Sequence, residues 1–104
     1  IWNCPVYPLG KKASHTFFPM KANQLYINFG FWSAVPSEKE PGFYNRLIED
    51  KVTELHGHKS LYSDVFYTKD QFWHLYDKAL YTYLKKRYDP NARLKGWYEK
   101  CTGA

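Results

Sequence analysis

Six side chains of this sequence could meet an organic ligand: Asn3 and Tyr7, Tyr26 and Asn28, and Tyr62 and Asp64. They alternate with apolar residues in three segments of strand-like composition, so a sheet would carry them on one face. Hydroxyls, amides and one carboxylate on an aromatic floor can hydrogen-bond a ligand's polar groups while rings stack on its apolar body. Tyrosine and asparagine are also ordinary residues of a solvated sheet face, and residue type alone does not separate the two readings.

Other constellations carry less. His56-Gly57-His58 holds two imidazoles, but neither cysteine nor carboxylate lies at the usual ligand spacing, so no metal site is expected. A histidine beside glycine at a helix end is explained by capping. His74 sits beside the apolar stripe of a helix, and His15 lies in a loop. Nucleophile elbow, P-loop and dinucleotide-binding glycine patterns are absent. In the C-terminal third Lys85, Lys86, Arg87, Arg93, Lys95 and Lys100 face only Asp89 and Glu99, a patch able to meet phosphates, an acidic domain or water. Interleaved with Tyr88, Trp97 and Tyr98, it leaves a single-stranded nucleic-acid module as an alternative, and a protein-interaction domain as another. The basic-Gly-aromatic strand motif of RNA-recognition sheets is missing, so nucleic acid is not the expected partner.

The elements that must position these residues are legible to different degrees. Thr68 and Gln71 form a capping box, and Phe72, Tyr76, Ala79, Leu80 and Tyr83 recur at three- and four-residue spacing. This predicts one helix from Thr68 to Tyr88, stopped by Asp89-Pro90. Phe43, Leu47, Ile48, Val52 and Leu55 predict an earlier helix ending at His56-Gly57, and Leu94, Trp97, Tyr98 and Cys101 a short last one. Strands are predicted over Ile1 to Tyr7, bounded by Pro5 and Pro8 and so at an edge, over Leu25 to Trp32, and over Leu61 to Tyr67. Leu25, Ile27, Phe29 and Phe31 should face the core. Residues 10–23 read as a loop whose Phe17-Phe18 pair either makes a contact or folds back over the core.

With 104 residues the chain is one domain at most. The order of elements predicts an α+β, two-layer unit: about three antiparallel or mixed strands with two to three helices on one face. Aromatic residues make up 20% of the sequence, so some rings should be exposed, and the net charge of +5 comes mostly from the C-terminal third. Cys4 and Cys101 are read as free thiols. No signal peptide or apolar run of about 20 residues occurs, and the expected location is cytoplasmic or membrane-peripheral on the cytosolic side. A start at Ile1-Trp2 with a single methionine, Met20, reads as a piece of a longer protein.

The words His56-Gly57, Leu61-Tyr62-Ser63-Asp64, Phe72-Trp73, Tyr76-Asp77 and Leu80-Tyr81 resemble, in order and spacing, the C-terminal region of the delta-24 sterol reductases. These belong to FAD-linked flavoproteins of the vanillyl-alcohol oxidase type. Ile1-Trp2, Cys4-Pro5 and Leu25-Tyr26-Ile27 with Gly30 are similar to the same region, and Arg87-Tyr88-Asp89-Pro90 with Arg93-Leu94 resembles the ending of sugar-lactone and sugar-nucleotide oxidases. The resemblance implies that residues 1–104 are a C-terminal cap or substrate domain, partially ferredoxin-like, of an enzyme moving hydride between FAD and a sterol-like or sugar-like substrate. It implies catalytic roles for Tyr62 and Asp64, with Asp64 orienting or exchanging a proton. Tyr26, Asn28, Tyr7 and Asn3 would bind substrate, and Arg87, Arg93 and Lys95 would contact the FAD-binding domain or the cofactor. Several relatives carry a lysine where this chain has Asp64-Val65-Phe66. The isolated chain is expected to be inactive, without tightly bound FAD, and to self-associate through an open sheet edge.

Overall fold

Trp2–Val6 (β1) and Tyr26–Gly30 (β2) pair antiparallel, with Trp2 opposite Gly30, Cys4 opposite Asn28 and Val6 opposite Tyr26. This computed structural model describes residues 1–9, 17–18 and 20–103; most of the expected loop, including His15, lies outside them. Gly30 is required by close approach, because a Cβ there would stand 2.5 Å from the Trp2 ring.

Four helices follow: Phe43–Glu54 (α1), Lys69–Leu75 (α2), Lys78–Tyr88 (α3) and Trp97–Thr102 (α4). The chain is therefore α+β with a small antiparallel sheet, and among the described residues no helix is long and apolar enough to cross a membrane. α1 ends in a Schellman turn, with the His56 amide donating to Thr53 O at 3.0 Å and the Gly57 amide to Val52 O at 2.8 Å. His56 holds the left-handed conformation, φ 57°, that glycine usually supplies at this position. The predicted capping box opens α2: Thr68 Oγ1 accepts from Gln71 N at 3.3 Å, and Gln71 Oε1 from Thr68 N at 2.9 Å.

The single helix expected over Thr68 to Tyr88 is broken in two. Tyr76 turns extended, φ −117° and ψ 148°, and the Asp77 carboxylate caps α3 by accepting from Leu80 N at 2.9 Å. An aspartate that can bond the backbone three residues on competes with helix continuation. α3 buries no residue fully and meets the aromatic cluster through Tyr81, whose ring lies 5.1 Å from Trp73 and 5.9 Å from Trp97.

That core is Val65, Tyr67, Phe72 and Tyr76, packed by Phe18, Leu61, Trp73, Leu75, Trp97, Tyr98 and Cys101. It lies between the 61–67 segment and the C-terminal helices rather than beneath the sheet. Residues 61–67 join no strand: Val65 and Tyr67 turn into the core, and the Phe66 amide bonds the Glu49 carboxylate instead of a ladder. The sheet consequently has two strands. Its expected core face is open, with Ile27 65% and Phe29 55% exposed. Phe17 and Phe18 fold back, Phe17 against Tyr81 and Trp97 and Phe18 against Tyr76.

Candidate functional site

Register decides which of the six candidate side chains share a surface. Residues directly opposite in an antiparallel pair point to the same face, so Tyr26 and Asn28 stand with Val6 and Cys4, whereas Asn3, opposite Phe29, lies on the other face. The expected grouping of Asn3 with Tyr26 and Asn28 is thus corrected by the pairing. Tyr7, just past β1, is half exposed.

Tyr62 and Asp64 do not extend the sheet, because the segment they occupy is a loop folded onto α1 and the helical core. Tyr62 is 85% exposed. Asp64 is exposed too, and its backbone carbonyl accepts from the Lys59 ammonium. That ammonium also pairs with Glu49 Oε1 at 2.7 Å, and the Lys59 carbonyl accepts from the Tyr76 hydroxyl at 2.6 Å. The loop presenting Tyr62 and Asp64 is therefore tied at its base, with its tip free to meet another molecule.

The basic C-terminal residues are organised by Asp89. Its carboxylate accepts from the Lys85 ammonium, from Arg93 N at 2.8 Å and from Leu94 N at 3.0 Å, while Lys85 also donates to Leu94 O at 2.6 Å. Arg87 donates to the Tyr83 hydroxyl at 3.0 Å and lies over the Tyr88 ring. The Asp89 clamp holds the turn that carries Arg93 and Lys95 against the end of α3.

The hydrogen bond from Lys85, reinforced by the amides of Leu94 and Arg93, holds the Asp89 carboxyl below the usual aspartate range. A depressed folded pKa stabilises above the unfolded pKa, near 4, and that stabilisation is lost as pH falls through the folded value. We expect Asp89→Asn to lower the melting temperature at pH 7, and to flatten its decline between pH 5 and pH 2 relative to the parent. Parallel slopes would show that the carboxylate charge does not hold this turn.

Sequence reasoning passed over one concavity. A depression of about 410 Å³ is lined by Lys21, Gln24, Tyr26, His56 and His58. Tyr26 Oη accepts the Lys21 amide at 2.8 Å. The His58 ring packs near Phe18 and Tyr76, and burial pulls its pKa below the usual histidine value, against a backbone hydrogen bond at Leu75 that raises it. The signal that could have found it was His56-Gly57-His58, which reads from sequence as a helix cap rather than as part of a hollow.

No family model matches the chain, and no solved structure matches it. It is similar to proteins named Delta(24)-sterol reductase from Rattus norvegicus, Mus musculus and Homo sapiens, at 30% identity over 98 residues in each case. Each alignment covers 84% of this chain and 17% of the relative, so the chain spans about a sixth of the length of the curated relatives it matches. The relationship to Delta(24)-sterol reductase is distant and partial.

Proposed function

We propose that residues 1–104 form a C-terminal cap, or substrate, domain of an FAD-linked oxidoreductase that moves hydride between a sterol-like substrate and flavin. The observation that carries this reading is the 30% identity, over 98 residues, to proteins whose name is Delta(24)-sterol reductase. Flavin, when bound, would supply the hydride chemistry. The described residues do not fit a whole FAD: none of α1–α4 opens with a glycine-rich phosphate turn, and the depression beside Tyr26 is an open hollow. The cofactor is therefore assigned to an FAD-binding domain of the same protein.

In this reading the exposed tip at Tyr62 and Asp64 meets the substrate, with Asp64 orienting it or exchanging a proton. Tyr26 and Asn28 offer a hydroxyl and an amide from one face of the sheet, and Tyr7, half exposed just past β1, a further hydroxyl. Arg87, Arg93 and Lys95 contact the FAD-binding domain. The bare Ile27/Phe29 face fits burial against that domain, and self-association of the isolated chain would hide the same surface.

The test is made in the flavoprotein containing these residues, by following reoxidation of reduced flavin on adding a sterol with a side-chain double bond. Asp64→Asn and Tyr62→Phe should slow reoxidation by roughly 10²-fold, in the range of a lost proton-transfer group, with flavin content unchanged. A parent protein that holds no flavin, or variants as fast as the original, would overturn the reading, as would stoichiometric flavin on the 104-residue chain alone.

A further inference from the structure

We propose that the depression lined by Lys21, Gln24, Tyr26, His56 and His58 binds a small oxyanion, a phosphate or carboxylate group carried on an organic body. All five side chains can donate: an ammonium, an amide, a phenolic hydroxyl and two imidazoles. Among the described residues no carboxylate lines the hollow. Tyr26 Oη already accepts the Lys21 amide, so its own proton is left to donate outward. A volume of about 410 Å³ exceeds what a bare oxyanion needs and lies within the range of small-molecule sites.

Backbone geometry gives the second argument. His56 occupies the left-handed position of the α1 Schellman turn at φ 57°, where glycine is the usual residue. The glycine comes one place later, where a Cβ would lie 3.1 Å from Val52 Cγ1 and 3.2 Å from Val52 O. Strain of this kind in a non-glycine residue gathers at functional positions, and here that residue is one of the two histidines lining the hollow. The carbonyl end of α1 would repel an anion, but Thr53 O and Val52 O are covered by the His56 and Gly57 amides. The proposal stands apart from the flavin reading and shares only Tyr26 with it, so a protein without flavin can still pass the test below.

The histidine imidazole resonances of the full chain are followed by NMR during titration with inorganic phosphate, with acetate as the carboxylate arm and sodium chloride at matched ionic strength as control. The His56 and His58 signals should shift saturably with phosphate, acetate or both, the stronger arm naming the group. In Lys21→Met, and in His56→Gly read through His58, the affinity should fall at least tenfold. His56→Gly should melt no lower than the parent, since glycine suits the left-handed position, which separates lost binding from lost folding. Shifts that chloride reproduces, shifts that never saturate, or variants that bind as tightly as the parent would overturn the site.

Discussion

Glu49→Ala should cost on the order of 3–5 kcal/mol, the range for removing one member of a buried ion pair and leaving the other behind. Glu49 is 2% exposed and 17 residues before the amide it holds: its oxygens lie 3.1 and 3.2 Å from Phe66 N and 2.7 Å from Lys59 Nζ. Alanine would leave the Phe66 amide without its acceptor and the Lys59 ammonium, 15% exposed, without its carboxylate. The loop bearing Tyr62 and Asp64 would lose its anchor to α1. At about 4–8 °C per kcal/mol for a domain of this size, melting should fall by at least about 12 °C. Glu49→Gln keeps an acceptor for Phe66 N and should lose less. Glu49→Leu with Lys59→Met removes both charges together and should recover part of the loss. The measurement is thermal melting by circular dichroism; a shift below about 4 °C for Glu49→Ala would mean that the loop is held by its buried Val65 and Tyr67 rather than by this knot.

That knot also explains what could and could not be read from the sequence. Local signals were legible: Thr68 with Gln71 start a helix, Asp89-Pro90 stop one, and His56-Gly57 close another, because each acts through hydrogen bonds within a few residues. Long-range competition was not. Residues 61–67 have strand composition, yet the Phe66 amide is claimed by a carboxylate 17 positions away and Val65 and Tyr67 are drawn into the helical core. Tyr76 kept the helical period while its hydroxyl reached the Lys59 carbonyl and Asp77 opened a new helix. The alternation in β2 was correct as strand geometry, but alternation does not say which face is covered, and Ile27 and Phe29 are left open. Asn3 was misplaced because composition does not specify the β1–β2 register. The polar surface around Tyr26 was half legible: Tyr26 and the His56-Gly57-His58 stretch stood out, but not Lys21 or Gln24, nor the hollow that gathers them.

Phe72→Ala is expected to be as damaging as loss of Glu49, for a different reason. Phe72 is 0% exposed, and its ring meets Trp73 at 5.0 Å, Tyr76 at 4.8 Å, Trp97 at 5.3 Å and Tyr98 at 5.4 Å between centroids. Three of these four are edge-to-face, the arrangement in which a ring's positive edge meets a neighbour's negative face. Truncation removes the transfer energy of the ring and leaves a cavity that stiff aromatic neighbours cannot easily fill, about 3–5 kcal/mol together. Two of the four neighbours belong to α4, a helix of 6 residues too short to persist without docking. Its other attachments include Trp97 N to Tyr81 Oη at 2.9 Å, Tyr98 Oη to Tyr67 O at 3.3 Å and the exposed Lys69–Glu99 pair at 2.7 Å, each a single contact beside the ring cluster. Phe72→Ala should therefore free α4 before the rest of the core melts, seen as red-shifted tryptophan emission from Trp97 and faster amide exchange over α4. Phe72→Leu, which fills most of the volume without the ring edges, should lose less stability and keep α4 docked. If Phe72→Leu instead undocks α4 as fully as alanine does, ring geometry rather than filled volume is what holds the last helix to the core.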